Sequence, residues 1–233
     1  MSITTPGDDV FAHREIKVEY LPEENAQYDL SFKIIIIGDS GVGKSCLSTK
    51  AVKDNFIDFY QATVGFEFLT FNLKLDDMVV KLQIWDTCGQ EIYRSLITNF
   101  YRNSSLAILV YAIDNEESFR NITSWLTELK KQANPDIKTI LVGNKCDLED
   151  KRQVAKEDAD SLRKSKNMDL FFETSAKTGF NAKNMLVEAA KILYREYIIY
   201  QKKHGKAPGN SPDPDKVNLK TEEIRANTKK GCC

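Results

Sequence analysis

The chain has 233 residues, 42% of them hydrophobic, and a formal net charge of −1. This length fits one large domain with tails, since domains commonly run to ~100–200 residues. The apolar share excludes wholesale disorder, and the near-neutral balance gives no reason to expect a nucleic-acid partner.

Charge is nevertheless uneven along the chain. Residues 1–29 hold seven acids and two bases, net −5, and residues 201–233 hold eight bases and four acids, net +4. The acidic stretch 1–29 reads as a flexible N-terminal extension. Within it "EIKVEYL" (15–21) alternates Ile16, Val18 and Tyr20 against charges, which leaves open an added strand or docking on the body. "FKIIIIG" (32–38) predicts a strand buried on both faces, and a helix follows from about Lys44. "FEFLTFNLKL" (66–75), Asp76-Asp77 and "VVKLQIW" (79–85) read as two antiparallel strands around a tight turn. "LAILVYAI" (106–113) and "KTILVGN" (138–144) are further buried strands. Between them Glu116 to Ala133 has helical spacing, with Phe119, Ile122, Trp125, Leu126 and Leu129 on one face. "LFFETSA" (170–176) is the last strand, and Ala182 to Tyr200 the last helix. Strands alternating with helices predict one α/β domain over 30–200 with a mostly parallel sheet, whose ligand sits at the carboxyl ends of the strands. Residues 201–233, rich in Pro, Gly and charge, read as a flexible linker.

Cysteines stand at 46, 88, 146, 232 and 233, with no CxxC and the two histidines, His13 and His204, in the presumed tails. That pattern gives neither a disulfide framework nor a zinc signature, and favours a reducing, cytosolic setting. The longest convincing apolar run, Leu106–Ile113, is too short to cross a membrane, and the N-terminus lacks a signal-peptide plan.

"GDSGVGKS" (38–45) matches G-x-x-x-x-G-K-[ST] between a strand and a helix. Glycines let backbone N–H groups turn inward as a nest for phosphate oxygens, and the following helix N-terminus adds favourable field. Ser40, Gly41, Val42, Gly43, Lys44, Ser45 and Cys46 are therefore candidate nucleotide contacts. Lys44 places a charge on the β/γ-phosphates, and the Ser45 hydroxyl is a candidate Mg²⁺ ligand. Cys46 itself is most simply a core residue or one behind the site. A loop of this kind serves ATPases, small-molecule kinases and GTPases alike, and "NKCD" (144–147) separates them. An aspartate after a strand can accept from guanine N1–H and the exocyclic amine, two donors that adenine does not present. Asn144 and Lys145 would buttress the loops around the base, with Cys146 at the free position of the motif. "TSAK" (174–177) adds backbone donors at Ser175 and Ala176 and the stem of Lys177 over the ring.

Together these stretches resemble the Ras-like small GTPases, and within them the Rab family, over residues 30–200. "TVGFEF" (63–68), "KLQIWDT" (81–87), "YRSLITNFYR" (93–102) and "SFRNITSWL" (118–126) carry the Rab likeness. The resemblance implies a P-loop NTPase of the Ras-like G-domain type: a six-stranded, mostly parallel sheet with one antiparallel strand and about five flanking helices. It implies GTP and GDP as substrate and product, with Mg²⁺. By position, Phe56 would lie beside the guanine and Tyr60 would close over the phosphates. Thr63 would complete the metal shell and hold the γ-phosphate, and Asp86 would bind the metal through water. Gly89 would contact the γ-phosphate, and Gln90 would orient the attacking water as the catalytic residue. Phe68, Trp85 and Phe100 match an aromatic trio read by effectors. Cys232 and Cys233 match a prenylation site served by a transferase and its escort protein.

Implied partners are an exchange factor, a GTPase-activating protein, a GDP-dissociation inhibitor and effectors. The implied place is the cytosolic face of a vesicle or organelle membrane, with a soluble pool. Loops ordered by the γ-phosphate would relax after hydrolysis, and no obvious arginine serves the transition state, so turnover is expected to be slow without an activating protein. A GTP-locked recruiting module with vestigial hydrolysis is the alternative; Gln90 and Thr63 speak against it. An ATP-using kinase or motor leaves NKCD and TSAK without a purpose. Relatives usually carry alanine where Cys88 stands. It reads as a small residue filling that site, a redox-sensitive thiol, or a sulfur that alters hydrolysis beside Gly89.

Overall fold

The computed structural model describes residues 15–22, 24, 27–56, 66–87 and 101–204. Seven strands form one sheet: β1 (Val18–Tyr20), β2 (Leu30–Ile37), β3 (Phe66–Leu75), β4 (Met78–Thr87), β5 (Leu106–Ala112), β6 (Lys138–Asn144) and β7 (Leu170–Glu173). Among the described residues four α-helices accompany them: α1 (Lys44–Lys53), α2 (Glu116–Gln132), α3 (Lys156–Ser165) and α4 (Ala182–His204). The spatial order is β1-β3-β4-β2-β5-β6-β7. Only β3 runs against its neighbours; β2, β4, β5, β6 and β7 pair in parallel. The predicted six-stranded sheet with one antiparallel strand is present, and β1 adds a seventh strand at its edge.

Burial explains why the central strands read as unbroken apolar runs. Ile34 and Ile36 of β2 join one core with Leu106, Ile108 and Val110 of β5 and the apolar faces of α1 and α4. Ile35 and Ile37 point the other way, into a second core with Leu109, Tyr111, Ile122, Trp125 and Leu129. A strand covered by helices on both faces has no polar face to alternate with. The β3–β4 hairpin differs: Val80, Leu82 and Ile84 are buried, while Lys81, Gln83 and Trp85 between them are not. At its turn Asp76 adopts φ 53°, a left-handed conformation that aspartate tolerates better than most residues.

The alternation at 15–21 is a strand's. Val18, Glu19 and Tyr20 pair with Leu75, Lys74 and Leu73, and Ile16 is buried in the α1/α4 core. Beyond the ladder, Leu21 N–H donates to the Asn72 carbonyl (3.1 Å) and Asn72 Nδ2 to the Pro22 carbonyl (3.0 Å). This part of the extension is thus built into the sheet, since two apolar side chains on one strand face found a core to enter. Two other differences concern helices. α4 runs four residues past Tyr200, because Gln201–His204 are adequate helix formers. α3 went unpredicted because only Ala159 of its ten residues is buried, too thin a stripe to show as periodicity.

Candidate nucleotide site

The predicted loop between β2 and α1 is held from behind and from both sides. Gly38 has φ 144°, and a Cβ there would stand 2.1 Å from the Val110 carbonyl oxygen of β5. Gly43 caps α1 with φ 89°, and a Cβ there would stand 2.6 Å from Asn144 Nδ2. Neither position admits a side chain. Val42 is anchored in the core, and Ser40 and Gly41 are exposed at the loop's tip. Among the described residues no side chain caps α1, and a helix N-terminus favours an anion. Lys44 is buried, and its ammonium donates to the carbonyls of Gly38 (2.9 Å) and Asp39 (2.7 Å).

Asp86 reaches the same place from the end of β4. It is fully buried, and neither carboxylate oxygen has a hydrogen-bond partner of full quality among the described residues. Burial pushes its pKa up to about 6, against the opposing pull of the Ser45 hydroxyl and the Lys44 ammonium; Glu67, its cross-strand partner, adds to the rise. A buried carboxylate without a partner is costly unless something cationic completes it. The residues fit a hard divalent cation: a carboxylate and the Ser45 hydroxyl supply the oxygen donors that Mg²⁺ prefers.

The residues expected to meet the base lie at the carboxyl ends of β6 and β7 and form a connected network. Asn144 is fully buried and ties three segments together. Its Nδ2 donates to the Val42 carbonyl (2.9 Å) and at longer range to that of Gly43 (3.5 Å), while its Oδ1 accepts from Thr174 Oγ1 (3.1 Å) and the Ala176 N–H (3.2 Å). These bonds join the phosphate loop to the loops after β6 and β7. Ser175 Oγ donates to Asp147 Oδ1 (2.5 Å) and accepts from the Thr178 N–H (3.0 Å). Lys145, at φ 64°, sets its ammonium 3.6 Å from Asp114 Oδ1, and Lys177 is exposed. On the far side Arg152 clamps both loops, donating to Glu149, to Glu173 (2.6 Å) and to the Val154 carbonyl (3.0 Å).

Four residues escaped the sequence reading in the parts they play around the site. Asp39, a variable position of the loop motif, accepts from Asn121 Nδ2 and Trp125 Nε1 of α2, each at 2.7 Å. Trp125 read as core and is core, but its ring nitrogen serves the loop. Arg152 lay in a stretch with no motif to mark it. None of these links has a sequence signal, because the partners are 82, 86 and 21 positions apart.

Of the aromatic trio, Phe68 and Trp85 face each other across β3–β4 with ring centroids 5.3 Å apart at 71°. Phe68 is exposed, and Lys33 Nζ sits 5.0 Å from the Trp85 ring centre. Phe56 is half-buried against the α1/α4 core. Cys46 packs against that core and Cys146 against the other; burial raises both thiols, so neither has the character of a reactive cysteine. Tyr60, Thr63, Cys88, Gly89, Gln90, Phe100, Cys232 and Cys233 lie outside the described residues. No helix among the described residues is long and apolar enough to cross a membrane.

Comparison with known proteins agrees with this arrangement. The model of the Ras family matches residues 33–195. Ras-related protein Rab-13 of Mesocricetus auratus is 41% identical over 203 residues, covering 87% of this chain and 96% of that protein. Ras-related protein Rab-8A of Gallus gallus is 40% identical over 193 residues, covering 83% and 90%. GTP-binding protein YPT1 of Saccharomyces cerevisiae is 39% identical over 213 residues, covering 90% and 100%. A phosphate loop pinned at its first and last glycines, joined through one buried asparagine to an aspartate loop, is how a sequence of this kind folds, and the chain belongs to the Rab group of the Ras family of small GTPases, which are GTP hydrolases.

Proposed function

We propose that this chain is a regulatory switch of vesicle traffic that binds effectors on a membrane in its GTP form and relaxes in its GDP form after hydrolysis. The Asn144 network carries the reading: one side chain bonds the phosphate loop, the aspartate loop and the TSAK loop together, so base and phosphates are read as one ligand. Asp147, oriented by Ser175, accepts from the guanine edge. Lys44 and the N–H groups at the start of α1 hold the phosphates. Ser45 and Thr63, with Asp86 through water, would hold Mg²⁺, which would supply positive charge at the phosphates. Gln90 orients the attacking water, and Thr63 and Gly89 sense the γ-phosphate. Phe68, Trp85 and Phe100 present the effector surface.

Slow intrinsic hydrolysis leaves the off-switch to an activating protein, whose inserted cation is worth ~10³–10⁵ in rate. An exchange factor, a GDP-dissociation inhibitor and a prenyltransferase escort complete the cycle. Lipid chains on Cys232 and Cys233 anchor the protein to the cytosolic face of a vesicle or organelle membrane, two chains being needed for stable attachment.

Competition binding on Asp147→Asn tests the base assignment. GTP affinity should fall at least ~100-fold and xanthosine triphosphate should gain, because the amide offers one acceptor where guanine brings two donors. An unaltered preference for GTP would overturn the reading.

A further inference from the structure

The acidic residue of the phosphate loop is held by a different element from the rest of that loop. Asp39 follows Gly38 directly, a position where a carboxylate would repel bound phosphates if it turned toward them. Instead both of its oxygens are taken by α2: Oδ2 by Asn121 Nδ2 and Oδ1 by Trp125 Nε1, each at 2.7 Å. The two donors stand one helical turn apart on α2, so they grip both carboxylate oxygens at once. α2 is itself fixed. Ser118 Oγ accepts from the Ala112 N–H at the end of β5 (3.1 Å) and donates to the Asn115 carbonyl (2.7 Å), and the Asn115 side chain caps the helix. Trp125 is buried in the core on that face, so its N–H is aimed rather than mobile.

The backbone of Asp39 is equally committed, since its carbonyl accepts from the Lys44 ammonium at 2.7 Å. A short chain of contacts thus runs from α2 through Asp39 to the phosphate-binding lysine. We infer that Asn121 and Trp125 are positioning residues for nucleotide phosphates. They draw the Asp39 carboxylate away from the anion and set the carbonyl that holds Lys44 in place. This rests on the guanine-nucleotide reading above and adds to it a dependence on α2, which touches no predicted ligand atom.

The test uses the full chain with Mg²⁺ and a fluorescent GDP, comparing Trp125→Phe, Asn121→Ala, Asp39→Ala and the double variant Asp39→Ala/Trp125→Phe. Trp125→Phe keeps a ring and removes the N–H, so GDP release should accelerate about tenfold, the lower end for a bond to a charged group. Asn121→Ala, the milder change to the fold, should act in the same direction. Asp39→Ala removes the repelling carboxylate together with its anchors, so it should release no faster than Trp125→Phe, and the double variant should release no faster than Asp39→Ala alone. The ³¹P resonance of the bound β-phosphate should shift in every variant, while guanine-over-xanthine preference stays put. Release within twofold of the parent with an unmoved ³¹P resonance overturns the inference, as does additivity in the double variant. If the parent chain binds no guanine nucleotide, the proposed function fails instead; parental binding with unaffected variants sinks only the role of α2.

Discussion

The two halves of the nucleotide site are finished to different degrees by the protein itself. At the base end, Asn144 has partners on both its amide nitrogen and its oxygen, Ser175 holds Asp147, and Arg152 braces both loops from behind. At the phosphate end, Asp86 is buried with its carboxylate unsatisfied among the described residues, and Lys44 donates to backbone carbonyls. On the proposed function, base selectivity is preorganised, whereas the phosphate half depends on its ligand to offset the cost of a buried charge. Binding free energy that relieves such a cost stabilises the fold by mass action, so order in this half follows the ligand.

Three substitutions test that contrast. Asn144→Ala should have the largest effect. It leaves the Thr174 hydroxyl, the Ala176 N–H and the Val42 carbonyl without this partner, costing about 3–5 kcal/mol by calorimetry and most of the nucleotide affinity. A loss below ~1 kcal/mol would mean the base end is not held together through this side chain. Asp86→Asn should act with opposite sign in two conditions. Without Mg²⁺ and nucleotide at neutral pH, removing the buried charge should raise stability by about 1–3 kcal/mol. With both present, the variant should gain far less from the ligand than the parent does. Equal ligand-induced shifts in melting temperature would erase the proposed difference between the halves. Arg152→Ala should be the mildest. Its guanidinium is partly solvated and the loops stay joined through Asn144, so a loss of about 1–2 kcal/mol is expected. Hydrogen exchange should rise at residues 145–148 and 174–176 and remain unchanged at 38–45; faster exchange in both sets would show that the halves are not separable.

Much of this was legible beforehand for identifiable reasons. GDSGVGKS needs a glycine at 38, where a Cβ would stand 2.1 Å from another strand's carbonyl oxygen, and only a local pattern can satisfy that demand. Each central strand is covered on both faces, so its residues are apolar without a break. Phe68 and Trp85 were matched by resemblance, and the register of β3 and β4 brings them together. The seventh strand was half-legible: Ile16 and Val18 alternate, but three residues of ladder cannot be told from a polar tail until a free sheet edge and an open core face are found. α3 was invisible because its helix is held mainly by exposed polar residues.

By itself the sequence determined the order of six strands and three helices, the phosphate loop and the choice of guanine, because these rest on contacts between near neighbours or on motifs with one chemical use. Tertiary structure alone decided which side chains serve that loop from afar. Asp39 finding Asn121 and Trp125, Arg152 finding Glu173, and Asp86 left unsatisfied among the described residues all depend on distances set by the packing of helices on a sheet. No local rule of propensity or spacing encodes them.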